Sequence, residues 1–514
     1  MKVLVMPVAM RHYLILQCLL FGFSVLLVSQ SAVALETHPA DVARSLILEL
    51  RLDEAAQVLD GGGGDTRVAL ERGRLLLYAT RYEEAQKVLE RSDVLATREG
   101  AYLARIARGS ARAVAGAYEV HDLYRNVVVR VQDDRDEPLV PLICDVVDAS
   151  RSVLKKGLGV ELPNPMRIEL VRDHFTLAAM TGLPEEAARK TGTVAVANWG
   201  RVTMVTPRSL DGAYAWMDTL AHELTHVALG KGTLDLAPLW LQEGVAKYFE
   251  KSWRYPHSYD DFTAADATAS EGMRMGWGRD FDGIGQSVAM LPSPMEAMVV
   301  YAQVESFVRY LVMMLEERSL AEMVVQLRES SEGEGMSEIL WKMTGIELPF
   351  WEVMWRDWLE FNYPDASGQI GFDSGGQDPV VMRNLRLGRL MVERGHGRAA
   401  AKLLDVDAAR PHNEMMIRYL LATAHLQDGQ PDLARADLDF PDSSIALNGE
   451  AFALRGKLST ENGDMDSAAS DFSMGVSLNP WAPQVACEGL DEPFMPYDAN
   501  RSWLCRSARK YPRR

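Results

Sequence analysis

The sequence has no cluster of lysine and arginine, and its 54 basic residues are outnumbered by 72 acidic ones. A phosphate-binding surface depends on clustered basic side chains, so nucleic acid is not an expected partner of this chain, whose net charge is −18. Beyond residue 28 no stretch approaches 18 consecutive apolar residues, and we expect no stable membrane span in the mature chain. Apolar residues make up 47% of the chain, which is enough for a buried core.

The N-terminus has the features of a targeting segment. Residues 14–28 are almost wholly apolar, and Lys2 and Arg11 precede them. Residues 32–34, Ala-Val-Ala, supply the small side chains of a cleavage site. We therefore expect residues 1–34 to be a signal peptide and the mature protein to be exported, either to the periplasm or out of the cell. The alternative is an uncleaved segment that anchors the chain in a membrane.

Cysteine is scarce, and only Cys144, Cys487 and Cys505 lie beyond the targeting segment. An exported protein meets an oxidising compartment, so Cys487 and Cys505 can pair and staple the C-terminal tail. Cys144 lies in an apolar helical stretch, which favours a buried thiol.

Residues 384–480 contain an internal repeat with a period of 34 residues. Each copy has two small residues and one large apolar residue at fixed offsets: Gly388, Ala400 and Leu404; Ala422, Ala434 and Leu438; Gly456, Ala468 and Phe472. Small residues let two antiparallel helices approach each other, and the large residue fills the groove to the next pair. The pattern resembles the tetratricopeptide repeat. That resemblance implies an all-α array at 381–480 with a concave surface for a protein partner.

A weaker form of the same pattern occurs near the N-terminus. Two sets of residues keep the offsets: Ala43, Ala55 and Leu59, and Gly73, Ala85 and Leu89. Four consecutive glycines at 61–64 predict a flexible turn between the two sets. We expect helical hairpins at 35–120, either tetratricopeptide-like or a generic helical array.

Between the two arrays the hydrophobic period changes. Valine-rich and alternating segments predict strands at 126–131, at 166–171 and in a hairpin within 193–206. Helical patterns cover 138–157, 173–190 and most of 211–362.

These segments predict an α+β domain at 121–365. Glycine, proline and small polar residues then indicate a linker at 366–380. Residues 481–514 follow the second array as a C-terminal tail.

Residues 222–226 read His-Glu-Leu-Thr-His within a segment whose apolar residues recur at helical spacing. His222 and His226 are four residues apart, so both imidazoles project from one face of the helix and can share one metal ion. Glu223 lies beside them and can hold a metal-bound water. This is the H-E-x-x-H arrangement of zinc peptidases. The alternative is a helix whose histidines are ordinary core or surface groups.

A catalytic zinc ion takes three protein ligands and keeps one position open. The next predicted helix contains Glu243, 17 residues after His226. The small Gly244 beside it would let this helix approach the first one. Glu250 and Asp235 are competing candidates for the third ligand.

Together the two helices resemble the gluzincin peptidases, and in particular the peptidase MA-like family. The family hallmark is His-Glu-x-x-His followed by Trp-Leu-x-Glu-Gly-x-Ala, and residues 240–246 read Trp-Leu-Gln-Glu-Gly-Val-Ala. The resemblance covers about 120–365. It implies a zincin-like fold with a small mixed sheet, and Zn²⁺ held by His222, His226 and Glu243.

Zinc is a Lewis acid that lowers the pKa of its bound water. Glu223 would accept a proton from that water and return it to the leaving amine. A tyrosine or histidine usually helps the metal to stabilise the oxyanion. Tyr301 begins a segment similar to the family helix that supplies this tyrosine, and the alternative is a packed helix aromatic. Tyr255, His257 and Tyr259 are weaker candidates.

Three further expectations concern the surroundings of the metal. Peptide substrates in this superfamily bind as an added strand at a sheet edge, and residues 201–206 form either that edge or a central strand. Several gluzincins orient a ligand histidine with an acid four residues after the ligand glutamate, a position that Lys247 occupies here. Asp218, one turn before His222, is a candidate for that orienting role, and an ordinary helix acid is the alternative.

These features predict an exported zinc peptidase that hydrolyses peptide bonds with a glutamate-assisted zinc-bound water. Its expected partners are a protein or peptide substrate and a protein recruited by the helical repeats. The alternative is a non-catalytic envelope scaffold in which the repeats and a protease-like domain bind protein partners. The intact set of His222, Glu223, His226 and Glu243 argues against a decayed site.

Overall fold

Helical hairpins form the N-terminal part of the structure, a computed structural model that describes residues 38–209, 215–254, 262–281, 284, 294–316, 318–331, 334–364, 379–408, 414–439, 448–495 and 499–510. Helices α1 to α6 span Pro39–Leu48, Leu52–Gly61, Thr66–Tyr78, Tyr82–Leu89, Ser92–Leu95 and Arg98–Ala113. A Cβ on Gly73 would lie 2.3 Å from the Leu89 side chain, so this glycine lets α3 and α4 pack closely. The segment is helical, as predicted.

Several predictions fall on residues outside the described ranges. They are the signal peptide at 1–34, most of the linker at 366–380, and the weaker oxyanion candidates Tyr255, His257 and Tyr259.

A mixed sheet of five strands follows the first six helices in the described part of the chain. Strands β1 to β5 span Tyr118–Asp122, Val127–Val131, Met166–Val171, Ala195–Asn198 and Arg201–Val205. Their order in the sheet is β1-β2-β3-β5-β4. The three inner strands run parallel, and β1 and β4 are antiparallel strands at the two edges. The chain is therefore α+β, as predicted.

The structure corrects the prediction at one strand and decides between two alternatives at another. β1 begins inside the segment predicted to be helical, and the sequence did not predict it because its partly exposed residues form no apolar run. Residues 201–206 form the central-strand alternative, since β5 lies between β3 and β4 and all of its residues are buried. The edge on this side is β4. An apolar strand reads the same in sequence whether it is inner or peripheral, and pairing in three dimensions decides which it is.

The hairpin between β4 and β5 is as predicted. Its two turn residues, Trp199 and Gly200, have left-handed φ angles of 51° and 70°. A two-residue turn with positive φ at both positions matches the right-handed twist of the flanking strands.

Helices pack around this sheet and share one core with it. Helices α7 to α16 span Val140–Leu158, His174–Thr181, Glu185–Thr191, Trp216–Thr233, Leu239–Phe249, Phe262–Arg274, Pro294–Leu315, Ser319–Arg328, Met336–Thr344 and Leu348–Asn362. Short 3₁₀ segments occur at Asp134–Leu139, Pro207–Ser209 and Ser252–Arg254. Trp216 of α10 and Trp355 of α16 are among the largest side chains that are fully buried.

Helix α13 holds a segment, Glu296–Leu315, that is long and apolar enough to cross a membrane by length and composition alone. It is the one such segment among the described residues, and 56% of its most apolar window is buried inside the protein. A core helix passes the same test. Phe307 of this helix packs against the rings of Trp240, Phe281 and Trp355, as a core residue does.

The C-terminal part is a second helical array. Helices α17 to α24 span Pro379–Glu393, Gly397–Ala408, Glu414–Gln427, Pro431–Asp437, Gly449–Glu461, Met465–Leu478, Pro483–Ala486 and Ala499–Lys510. Cβ atoms on Gly388 and Gly456 would lie 2.8 Å from Leu404 and 2.9 Å from Phe472, so the small and large repeat residues meet within a helix pair. Leu404 also packs against Ile417 of the next helix, which is the groove-filling contact expected.

The cysteines are arranged as the sequence suggested. Cys487 and Cys505 form a disulfide that joins the last two helices of the tail. Cys144 is a buried free thiol, and burial raises its pKa to about 12.

Candidate metal centre

Helix α10 carries three of the predicted site residues. Trp216, Leu220 and Leu224 are completely buried in the core, and the helix packs against β4 and β5. These anchors fix the rotation of the helix about its axis. His222 and His226, one turn apart, therefore lie together on the side that faces α11.

Helix α11 supplies the fourth predicted residue. It begins after Pro238, whose side chain suits the start of a helix. A Cβ on Gly244 would lie 2.6 Å from the Val304 carbonyl oxygen in α13, so only glycine lets α11 pack this closely on α13. The expectation that Gly244 would let α11 approach α10 is therefore wrong, because its close contact is with α13. This packing sets the position of the neighbouring Glu243.

The three predicted ligand atoms converge. The His222 and His226 Nε2 atoms are 3.1 Å apart. Glu243 Oε2 lies 3.3 Å from the first of them and 3.5 Å from the second. This oxygen is buried, and no hydrogen bond of good geometry satisfies it in the described structure. A buried carboxylate oxygen between two imidazole nitrogens, with no donor of its own, is a group that a cation would satisfy.

The spacing of these atoms fits a zinc ion. Ligand atoms roughly 2.0–2.2 Å from a tetrahedral zinc lie roughly 3.3–3.6 Å from one another. The two separations from Glu243 Oε2, 3.3 and 3.5 Å, lie in that range, and the 3.1 Å between the two Nε2 atoms is slightly shorter. Two nitrogens and one oxygen are also a donor set of catalytic zinc sites. Within the described residues these three side chains are the one such group of metal-ligating residues, and neither Asp235 nor Glu250 belongs to it.

Glu250 lies outside the cluster of candidate ligands and contacts the other side of the His222 ring. Its Oε2 lies 3.2 Å from His222 Nδ1, the ring nitrogen that points away from the ligand cluster. Lys247 holds the same carboxylate through contacts of 2.8 and 3.0 Å. The acid that contacts His222 is therefore Glu250, one turn after the position that Lys247 occupies. Lys247 holds the carboxylate of Glu250 in place.

Asp218 does not orient the ligand histidine. Its carboxylate pairs with the Arg254 guanidinium at 2.7 Å and accepts a hydrogen bond from Trp253 Nε1 at 2.9 Å. It ties the start of α10 to the segment after α11, so the expectation of an orienting role for Asp218 is wrong. The Lys247–Glu250 pair was not predicted, and its only signal in the sequence is the i,i+3 spacing of opposite charges.

Charge couples the members of the centre. Burial alone lowers the pKa of His222, but pairing with Glu243 and Glu250 outweighs it and raises this pKa to about 9. Burial raises the pKa of Glu250, and Lys247 and His222 outweigh it to bring that pKa to about 2. The pKa of Glu243 is lowered well below its usual range, because attraction to the two histidines exceeds the effect of burial. Both carboxylates are therefore negative at neutral pH.

Glu223 follows His222 on α10, is 8% exposed, and lies close enough to both histidines and to Glu243 to interact with their charges. Burial raises its pKa, the charges of the two histidines lower it, and the net shift is upward. The backbone N–H of Ala197 in the edge strand β4 donates a hydrogen bond to this carboxylate. A glutamate with a raised pKa is suited to accept and return a proton near neutral pH.

Tyr301 lies close to the same charges. Burial raises its pKa well above 10, and the nearby carboxylates of Glu243, Glu223 and Glu250 raise it further. The Lys247 ammonium is 5.7 Å from the centre of its ring. The tyrosine is thus protonated and beside the cluster, while its role in stabilising an oxyanion stays a prediction.

Comparisons with known proteins give no relative for this chain. It matches no protein-family model, no curated protein and no solved structure. What the centre does has to be argued from its residues.

Proposed function

We propose that this protein is a metal-dependent hydrolase. Within that class, the H-E-x-x-H helix and the following Trp-Leu-Gln-Glu-Gly-Val-Ala helix favour a zinc peptidase of the gluzincin type with a zincin-like fold. The observation that carries the proposal is the convergence of His222 Nε2, His226 Nε2 and Glu243 Oε2 at mutual distances of 3.1–3.5 Å.

Each residue has one part in the proposed reaction. His222, His226 and Glu243 would hold the zinc ion, which when bound supplies Lewis acidity towards water and a carbonyl oxygen. Glu223 takes a proton from the attacking water and delivers it to the leaving amine. Tyr301 donates a hydrogen bond from its phenolic O–H to the developing oxyanion. Glu250, held by Lys247, keeps His222 in the ring orientation that binding requires.

The edge strand β4 would bind the substrate. Val205 N–H donates to the Val194 carbonyl at 2.7 Å, and alternate residues of an antiparallel strand point their hydrogen-bonding groups to opposite sides. The backbone N–H and C=O groups of Ala195 and Ala197 therefore point away from β5. The N–H of Ala197 donates a hydrogen bond to Glu223. An extended peptide added to this edge would place a peptide bond beside Glu223.

The proposal also covers the location of the protein, its substrate and its partner. We propose that the protein acts after export, on a protein or peptide substrate, and that the tetratricopeptide-like arrays recruit a protein partner through their concave surfaces. The alternative is a scaffold that binds zinc and partners without chemistry.

A glutamate-to-glutamine change at the base tests the function. Zinc-loaded wild-type protein is incubated with a library of unstructured peptides, and new termini are detected by mass spectrometry. We expect Glu223→Gln to keep one zinc per chain and to lose about 10²–10⁴-fold in cleavage rate, the usual contribution of general acid–base catalysis. Glu161→Gln, which changes an exposed acid paired with Lys155, is the matched control and should cleave like wild type.

Two outcomes would contradict the proposal. Equal cleavage by wild type and Glu223→Gln would remove Glu223 from the mechanism. Absence of cleavage by both proteins, with zinc bound to each, would favour the scaffold.

A further inference from the structure

A cleft opens beside the metal centre, at the C-terminal end of strand β4. Leu50 and Tyr78 of the N-terminal array line it on one side, and Trp199 of the β4–β5 turn lines another. The metal-site residue His226 and the acidic Asp235 complete the wall. Three separate segments of the chain thus meet around one space that adjoins the reacting groups.

The backbone around this cleft is strained. The described residues include seven non-glycine positions with left-handed φ, and three of them, Leu50 at 60°, Trp199 at 51° and Asp235 at 60°, line the cleft. A fourth, Leu234 at 56°, immediately precedes Asp235. Unfavourable backbone conformations of this kind concentrate at functional sites, where the surrounding structure maintains them.

The turn after α10 aims the Asp235 carboxylate into the cleft. The Asp235 backbone N–H donates to the Gly230 carbonyl at 2.9 Å. A Cβ on Gly230 would lie 2.5 Å from Asp235 Oδ1, so the carboxylate lies directly over this glycine at the wall of the cleft. Asp235 also faces Tyr78, whose pKa is raised to about 12 by burial first and then by the charge of Asp235.

No cation among the described residues neutralises Asp235. Lys231 also lines the cleft, but its ammonium group donates to the Glu161 carbonyl at 2.8 Å. Asp235 is an exposed residue, and partial desolvation of its carboxylate raises its pKa. Most of the other residues that line the cleft are apolar or aromatic, and Asn198 and His226 are polar. A single carboxylate in such surroundings attracts a small cationic group.

The size and position of the cleft restrict that group. The cavity is about 50 Å³, which suits an ammonium group on a short methylene chain. Antiparallel pairing is the commoner arrangement of neighbouring strands. A substrate strand that pairs antiparallel with β4 has its N-terminal end beside the C-terminal end of β4. Its residues on the amino side of the scissile bond therefore lie at that end of β4, where the cleft is.

We propose that this cleft is a substrate subsite that receives a primary ammonium group on the amino side of the scissile bond, with Asp235 as its counter-ion. The inference rests on the proposed peptidase function and adds the class of substrate. The ammonium can come from a lysine side chain or from the free α-amino group of the substrate.

Asp235→Asn tests the subsite in the full-length protein. Asparagine has the same shape and tolerates left-handed φ, so the turn is kept while the charge is lost. Zinc-loaded protein is given peptides that differ only in lysine or norleucine before the scissile bond, each with a free or an acetylated N-terminus. We expect wild type to prefer the ammonium-bearing peptides at least tenfold in kcat/KM and Asp235→Asn to lose that preference. Preference for free N-termini alone assigns the α-amino group, and preference for lysine alone assigns the side chain.

Controls separate the charge of Asp235 from folding. Asp235→Gly also accepts the left-handed backbone and should lose the preference in the same way. Asp432→Asn removes an exposed acid in the C-terminal array and should keep it. Zinc content of one per chain in each variant verifies that the metal centre is intact.

A binding measurement distinguishes failure of the subsite from failure of the peptidase. Fluorescently labelled lysine and norleucine peptides, in free and acetylated forms, are titrated by anisotropy into metal-free wild type and metal-free Asp235→Asn. Asp235-dependent binding of ammonium peptides without any cleavage would retain the subsite and overturn the peptidase. Cleavage without an Asp235-dependent preference would overturn the subsite alone. Absence of both effects would overturn both.

Discussion

At the scale of single residues, the centre is built from side chains with opposing electrostatic requirements. Glu243 and Glu250 stay ionised because each faces a cationic or hydrogen-bonding partner. Glu223 faces the same histidines but has a raised pKa, because burial dominates its surroundings. These differences fit the three roles that we propose for the glutamates of this cluster: metal binding, ligand orientation and proton transfer.

The orienting role of Glu250 gives a prediction on metal affinity. Glu250→Gln keeps a hydrogen-bond acceptor for His222 Nδ1 but removes the negative charge. Loss of such a partner typically weakens metal binding by about 10–100-fold, and we expect about tenfold for this conservative change. Zinc affinity is measured by competition with a chelating dye. Glu161→Gln serves again as the control, and an unchanged zinc affinity of Glu250→Gln would show that His222 needs no such partner.

The residues that share a helix were predictable, and the orienting residue was not. His222, Glu223 and His226 lie within five residues, so helical geometry alone places them together. Glu250 meets His222 across 28 residues of sequence. Its contact depends on the crossing of α10 and α11, which no local pattern encodes.

At the scale of elements, the approach of α11 to α13 determines where Glu243 lies. Gly244 is the contact point, with the Val304 carbonyl and the Val308 side chain each 2.6 Å from where a Cβ would be. Backbone on the far side of the contact cannot give way as a flexible side chain can. Helix α11 can therefore accept a side chain here only by moving.

Gly244→Ala should consequently destabilise the protein and disturb the metal centre. We expect a loss of about 1–3 kcal/mol in unfolding free energy, the usual cost of overpacking, together with weaker zinc binding. Urea denaturation and the dye competition measure the two effects. Gly64→Ala is the matched control, since a Cβ at Gly64 meets nothing within 4 Å. If Gly244→Ala unfolds like this control, the close helix contact is not a constraint.

The sheet shows the limit of sequence patterns at this scale. The β4–β5 hairpin follows from the Asn198-Trp199-Gly200 turn, and its position was predicted. Which of its strands forms the edge depends on β5 pairing with β3, a strand about 30 residues earlier in the chain. The structure decides this between the two alternatives: the edge strand is Ala195–Asn198, and residues 201–206 are central.

At the scale of the whole molecule, the helical arrays and the middle domain are physically continuous. The main apolar cluster includes Val476, Trp481 and Leu504 of the C-terminal part together with Trp216 and Met204 of the middle domain. On the N-terminal side, Tyr82 donates a hydrogen bond to Glu169 of β3 at 2.7 Å. Both arrays thus pack against the middle domain. The N-terminal array also supplies Leu50 and Tyr78, which line the cleft beside the metal centre.

Metal binding should stabilise the folded chain. The three ligands come from two helices, so the site exists only when these helices are packed together. Zinc at about 100 times its Kd should add about 2.7 kcal/mol, seen as a rise in Tm when zinc replaces chelator. The His222→Ala, His226→Ala double variant should bind no zinc and show no rise. An equal rise in the double variant would place the stabilising ion elsewhere.

The sequence by itself determined what depends on neighbours along the chain. Helical spacing in residues 222–226, the small and large residues of the repeats, and the turn at 198–200 are local, and each constrains a short stretch of backbone. Tertiary structure decided what depends on distant segments: the pairing of Glu250 with His222, the edge position of β4, and the placing of Asp235 opposite Tyr78. These contacts require whole helices and strands to be packed in one arrangement, and that arrangement follows from burying a common core rather than from any single motif.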